Sequence, residues 1–213
     1  MIDSNGVLQV FSRDPVPGKT KTRLIPLLGE QGAADLHRKL LIKIISVANE
    51  SIFKNIELWG TSDPTESLLR DYARSDWKLY KQVGNSLGER MHHAARQALS
   101  QYEFVVIIGS DCPLLSSQIL DKAYRTLEQG GDAVLGPTDD GGYYLLGMRN
   151  IDYPIFMNIP WGKSNVADIT RDNMHKLGWK WIELDCLWDI DTPEDIKKLS
   201  RAGIFDVVMC ETT

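Results

Sequence analysis

The chain has 213 residues, 43% hydrophobic and 25% charged, a balance that suits one α/β domain spanning 1–213 with a sizeable core. A formal net charge of −5 argues against broad nucleic-acid or anionic-membrane binding, and three dispersed cysteines (Cys112, Cys186, Cys210) without a CxxC pair argue against a disulfide framework or a zinc site. No window approaches the roughly 18 apolar residues of a membrane span, and the opening MIDSNGVLQVF lacks the features of a signal peptide, so a cytoplasmic protein acting on a small molecule is expected.

Val7–Ser12 reads as a first buried strand. The loop that follows, RDPVPGKTKTRL, carries four cations, Arg13, Lys19, Lys21 and Arg23. On charge alone it is a solvated face. Its place after the first strand of an α/β sheet also suits a polyphosphate site, with Ser12 at the strand's end. The GxxxxGK[ST] phosphate loop is absent, and an extended loop leaves Lys21 free to point away from its neighbours.

Glu30–Glu50 has helical period, with Leu36, Leu40, Leu41, Ile44 and Ile45 on one stripe and His37 beside it as a structural residue. Asn55–Thr61 is expected as a strand, Thr65–Ser75 as a short helix, and Trp77–Val83 as a half-exposed edge strand. GNSLGER then opens a helix whose glycine-containing turn can hold anions on backbone N–H groups. Arg90 and Glu89 in its first turn, with Gly88, are candidate ligand contacts, and the alternative is a plain junction capped by Ser86 or Gly88. His92 and His93 are adjacent, point about 100° apart on a helix, and cannot chelate one ion together.

Phe104–Ile108 is an uninterrupted apolar run, the pattern of a central strand covered on both faces. It ends in Gly109-Ser110-Asp111, where Asp111 is placed either to hold a divalent cation or to tie down its own turn. A helix over Ser117–Gln129, capped by Ser116 and closed by Gly130-Gly131, leads to a strand at Ala133–Pro137. In the TDDGGYYLLGM stretch, Asp139 and Asp140 are candidates for a general base, sugar-hydroxyl acceptors or simple turn formers, and Gly141-Gly142 permit a tight turn or close ligand approach. Trp161 sits in the loop Asn158–Ser164, and Ser164 is expected to cap a helix running to Leu177. A strand at Trp179–Leu184 precedes DCLWDIDTPEDI, in which Thr192 caps a helix with Pro193 first. Asp195 is explained by that helix start, whereas Asp189 and Asp191 are not. The tail Ile204–Thr213 has no readable role.

Six stretches in order, VFSRDPVPGKTKTRL, SLGERM, IGSDCPLL, LGPTDDGGYYLLG, IPWGKS and DIDTPEDI, resemble the uncharacterised bacterial glycosyltransferase-like proteins of the nucleotide-diphospho-sugar transferase superfamily. The resemblance runs from about Val7 to Leu199 and implies the GT-A fold: a mixed, mainly parallel sheet with helices on both faces. More distantly the chain is similar to phospholactate guanylyltransferase and molybdenum-cofactor guanylyltransferase. The resemblance implies a nucleotide or nucleotide sugar carried by the loop after the first strand, with Arg13, Lys19 and Arg23 near its phosphates, and Ser12, Lys21, Gly88 and Arg90 are the further expected nucleotide contacts. It implies Mg²⁺ or Mn²⁺ at Asp111, with Asp191 and less directly Asp189 across the cleft. Asp139, Asp140, Gly141, Gly142, Tyr143 and Trp161 would surround the transferred group and a small-molecule acceptor. Glycosyltransferases of this fold usually carry Asp-x-Asp at the metal, whereas this chain has Ser110-Asp111-Cys112. Three readings follow: a glycosyltransferase releasing a nucleoside diphosphate, a nucleotidyltransferase releasing pyrophosphate, and a non-catalytic nucleotide-binding protein.

Overall fold

The apolar runs become strands and the periodic stretches become the helices laid over them. In the computed structural model, which describes residues 5–202, β1 (Gly6–Phe11) and β4 (Phe104–Ile108) are buried along their whole length. They are joined by β2 (Asn55–Gly60), β3 (Lys78–Lys81), β5 (Ala133–Pro137), β6 (Tyr143–Met148) and β7 (Trp181–Glu183). All seven form one sheet in the order β3-β2-β1-β4-β6-β5-β7. β6 runs antiparallel to both its neighbours, while the other pairings are parallel. The tail Ile204–Thr213 and Cys210 lie outside the described residues.

Strand alternation sends successive side chains to opposite faces. Leu8, Val10, Val106 and Ile108 pack under α1 (Ile25–Glu50) and α3 (Ser117–Glu128), among Leu41, Ile44, Leu120 and Leu127. Val7, Phe11, Val105 and Ile107 pack under α2 (Leu87–Leu99) and α4 (Val166–Lys176), among Met91, Ala94, Ala98 and Met174. A third apolar cluster fastens α5 (Pro193–Ala202) to α1 through Ile190, Ile196, Leu199, Leu36 and Leu40. Among the described residues no helix is long and apolar enough to cross a membrane.

Several expected details differ. The helix expected from Glu30 gains a leading turn, Ile25–Leu28, set off from it by Gly29 at φ 69°. The expected helix Thr65–Ser75 shortens to a single 3₁₀ turn, Leu68–Asp71. Its start is held from outside by the buried Asp14, whose Oδ1 accepts from Ser67 Oγ (2.7 Å) and Leu69 N (3.3 Å). Ser116 occupies the first position before α3 without a side-chain cap. Ser164 does not cap α4: the residue before that helix is Asn165, and the Ala167 N–H bonds instead to Gly141 O at 2.8 Å. Thr192 and Asp195 do build the start of α5, with Asp195 Oδ2 accepting from Thr192 N (2.7 Å) and Thr192 Oγ1 (2.8 Å).

This topology brings the site together. β1 and β4 are parallel neighbours, Val10 beside Ile108, so the loops after both leave the sheet at one edge. Because β6 is antiparallel, the turn from Pro137 to Tyr143 opens at that same edge. The segment 187–191 is tied there as well: Leu187 N donates to Pro137 O (3.0 Å) and Ile190 N to Asp111 O (3.0 Å).

Candidate active site

A cleft of about 630 Å³ opens at this edge, lined by Ser12, Arg13, Lys21, Arg23, Arg90 and Asp111, with Asp191 on its far wall. Lys21 lies at its centre. Its backbone is left-handed (φ 49°), uncommon for a side-chain-bearing residue, and its side chain is turned inward until only 4% of it is exposed. The ammonium stands 2.7 Å from Asp111 Oδ1 and 3.4 Å from Asp191 Oδ1, and it also donates to the Ile190 carbonyl. The two carboxylate oxygens, sharing that one nitrogen, are therefore at most 6.1 Å apart. Arg23 Nη1 holds the other oxygen of Asp191 at 3.0 Å from the rim.

The electrostatics follow from this packing. Burial alone would raise Asp111, but the Lys21 ammonium and the His37 ring outweigh it and hold Asp111 well below the usual carboxylate range. Burial alone would lower Lys21, yet Asp111 and Asp191 leave it above its ordinary value. Burial, reinforced by the charge of Asp111, pushes Asp189 up to about 7, and its Oδ1 is buried without a hydrogen-bond partner. An Asp-x-Asp motif starting at Asp111 would have its second acid where Pro113 stands, and the residue between is Cys112. Burial, then Asp189, pushes its thiol up to about 12, so it stays protonated and is a poor metal ligand.

The other candidate residues fall into two groups. Arg13 is exposed at the rim, and Arg90 is half-buried with Nε on Gly84 O at 3.0 Å. The Ser12 hydroxyl reaches Ser110 Oγ at 3.1 Å. Lys19 is exposed and does not line the cleft. Gly88 lies beneath Trp161: a Cβ there would sit 2.8 Å from the indole, so the bare backbone admits the ring. Trp161 in turn meets Tyr143 edge to face, centroids 6.2 Å apart, beside Gly162 of the cleft wall.

Asp139 and Asp140 do not line the cleft. Asp139 Oδ2 pairs with Lys198 Nζ at 2.5 Å. Asp140 Oδ1 accepts from Thr138 Oγ1 (2.6 Å) and Gly142 N (3.0 Å), an Asx turn. Gly141 is confined by φ 87° and by Ser164, whose carbonyl oxygen would be 1.8 Å from an added Cβ.

Two residues of the cleft, His37 and Gln82, are not among those expected there from the sequence. His37 is buried in the cleft floor, Nε2 3.0 Å from Arg13 O and Nδ1 3.7 Å from Asp111 Oδ1. Gln82 Nε2 clamps the ends of β1 and β2 through Ser12 O (3.2 Å) and Trp59 O (2.9 Å). A polar residue bordering the apolar stripe of α1 was the available signal for His37. Gln82 offered none, since alternation on an edge strand predicts a polar residue there anyway.

Comparison with known proteins agrees with this architecture. The structure of a protein from Desulfovibrio desulfuricans, provisionally assigned as a nucleotide-diphospho-sugar transferase, is 30% identical, with a TM-score of 0.87 over 94% of this chain and 88% of that one. The 4-diphosphocytidyl-2C-methyl-D-erythritol synthase of Anaerococcus prevotii shares the fold at 13% identity, TM-score 0.64, over 94% and 96% of the two chains. So does a Mycobacterium tuberculosis protein solved in complex with manganese, at 13% identity, TM-score 0.55, over 93% and 100%. No curated protein matches. A family model described as "Uncharacterized protein conserved in bacteria (DUF2064)" matches residues 45–163, more than half of the chain. The chain belongs to that bacterial family, within the superfamily of GT-A-like nucleotide-diphospho-sugar transferases.

Proposed function

We propose that this protein is a nucleotide-sugar-dependent transferase. A nucleoside diphosphate sugar lies in the cleft, the sugar passes to a small acceptor, and a nucleoside diphosphate leaves. The observation carrying this reading is the gathering of Asp111 and Asp191 around one positive charge, in a cleft lined by Arg13, Arg23 and Arg90. Those guanidinium groups offer charge-assisted bonds to phosphate oxygens. Neither Tyr143 nor Trp161 lines the cleft, but the pair packs beside Gly162 of its wall, where Trp161 borders the place a sugar would take. Asp139 and Asp140, with Gly141 and Gly142, lie outside the cleft lining, and either acid can serve the acceptor only by leaving its present partner.

The donor set fits a hard divalent ion. Asp111, Asp191 and the Ile190 carbonyl are oxygen donors already turned toward one cation, and an unpartnered Asp189 oxygen is buried close by. Among the described residues no three His, Cys, Asp or Glu side chains form a metal group. Mg²⁺ or Mn²⁺ held by one or two carboxylates, with substrate phosphates completing the shell, is compatible with that. When bound, such an ion neutralises the diphosphate and stabilises it as leaving group.

A second reading, nucleotidyl transfer, is favoured by the lone carboxylate of Ser110-Asp111-Cys112 and by the local engagement of Asp139 and Asp140. Here a substrate phosphate attacks the α-phosphorus of a nucleoside triphosphate, the bond to the β-phosphate breaks, and pyrophosphate leaves. The experiment incubates the protein and Mn²⁺ with panels of nucleoside diphosphate sugars and of nucleoside triphosphates plus phosphorylated acceptors. Release of free nucleoside diphosphate is expected. Pyrophosphate release selects the second reading, and nucleotide binding without either product rejects both.

A further inference from the structure

We propose that Lys21 is a tethered cation occupying the metal position of the nucleotide-free protein, so that the divalent ion is admitted together with the phosphate chain instead of ahead of it. This rests on the metal-assisted reading above and adds an order of events to it.

The argument is geometric. The Lys21 ammonium is enclosed by oxygens from two other segments: Asp111 at the end of β4, and Ile190 and Asp191 from the strap before α5. Direct ligands of a hard divalent ion lie within about 2.6 Å of it. The Lys21 nitrogen already holds Asp111 Oδ1 at 2.7 Å, so an ion using that oxygen and Asp191 takes the space the ammonium fills. Both cannot be there at once. Lysine also suits the task, being a compact point charge with three donors on a flexible stem, unlike the planar fork of arginine. Its left-handed backbone directs that stem inward, while Arg13 and Arg23 stay exposed. The two arginines and Arg90 already supply cations for phosphate oxygens, so the inward turn of Lys21 is not needed to provide a first one.

Two consequences follow. Without Lys21, Asp111 and Asp191 would face each other, with Asp189 nearby and only the exposed Arg23 on the far oxygen of Asp191, and would attract a free cation strongly. With Lys21 in place, an ion arriving alone must expel an ammonium that then lacks an anion. A phosphate chain in the adjoining cleft provides that anion, which couples the two binding events.

The test uses Mn²⁺ alone, its binding read from the loss of the free ion's paramagnetic resonance signal. Lys21→Gln and Lys21→Met are expected to bind Mn²⁺ roughly tenfold or more tightly than the wild type, because site charge and ligand count set such affinities. Adding Asp111→Asn to Lys21→Gln should abolish the gain. A measurement on the wild type stands apart from the folding of any variant: acetylation of Lys21, read by mass spectrometry, should be slow without metal and several-fold faster with saturating Mn²⁺. Equal Mn²⁺ affinity in wild type and Lys21→Gln, or unchanged Lys21 acetylation while Mn²⁺ is bound, overturns the inference and leaves the metal-assisted reading standing. Absence of Mn²⁺ binding in every protein at millimolar ion overturns both.

Discussion

The loop 12–24 and the turn 138–142 open at the same edge of the sheet, both charged, and Lys21 and Arg23 of the first use their charges in the opposite way to Asp140 of the second. In the first, partners come from far along the chain: Lys21 and Arg23 reach Asp191 across 170 and 168 positions. In the second, Asp140 is held from next door, by Thr138 across 2 positions, although its neighbour Asp139 reaches out to Lys198 across 59. A charge satisfied within its own turn makes the turn. A charge satisfied only by distant segments makes a place where those segments meet, and there a ligand can enter the network by exchanging one partner for another.

Substitutions test that contrast. The largest effect is expected for Asp111→Asn, which should lower turnover on the order of 10²-fold or more, the scale of losing one electrostatic contact at a reacting centre. Its stability cost should stay near 1–3 kcal/mol, less than for a fully buried ion pair, because 41% of the Asp111 side chain is open to the cleft. Urea unfolding alongside product release measures both. Gly141→Ala should do the reverse: φ 87° and the Ser164 carbonyl predict a loss of about 2–4 kcal/mol of stability, with turnover per folded molecule little changed if Gly141 serves only the turn.

The sequence made part of this contrast legible. Asp111 could be found because a continuous apolar strand ends beside it, and the basic loop because cations stand out in an acidic chain. The inward turn of Lys21 could not be read: nothing local distinguishes it from an exposed loop lysine, and only the strap carrying Asp191 encloses it. The opposite direction of β6 was equally silent, since YYLLGM reads as an apolar run whichever way it pairs. The commitment of Asp140 to its turn agrees with the turn-former alternative that Asp-Asp-Gly-Gly always offered.

Two smaller effects sharpen the comparison. Arg23→Ala should weaken nucleotide binding by about 1.5 kcal/mol, roughly tenfold, with stability barely moved because 67% of the side chain is exposed. Titration calorimetry at fixed salt against a thermal melt separates the two. Asp140→Ala should cost about 1 kcal/mol of stability from its lost turn bonds and leave turnover within about twofold. A hundredfold loss of turnover with an unchanged melt would break the contrast, making Asp140 a catalytic residue held in reserve by Thr138.

The strap from Leu187 to Asp191 bears on how the molecule comes into being. Chains are made from the N-terminus, and domains fold as synthesis proceeds. Every strand of the sheet is present once Glu183 has been added, but the second acid arrives eight positions later (191 − 183). It is seated only when Leu187 N reaches Pro137 O and Ile190 N reaches Asp111 O. A nascent chain therefore has its sheet before its complete pair of acids, which come together only once the strap has left the ribosome and docked.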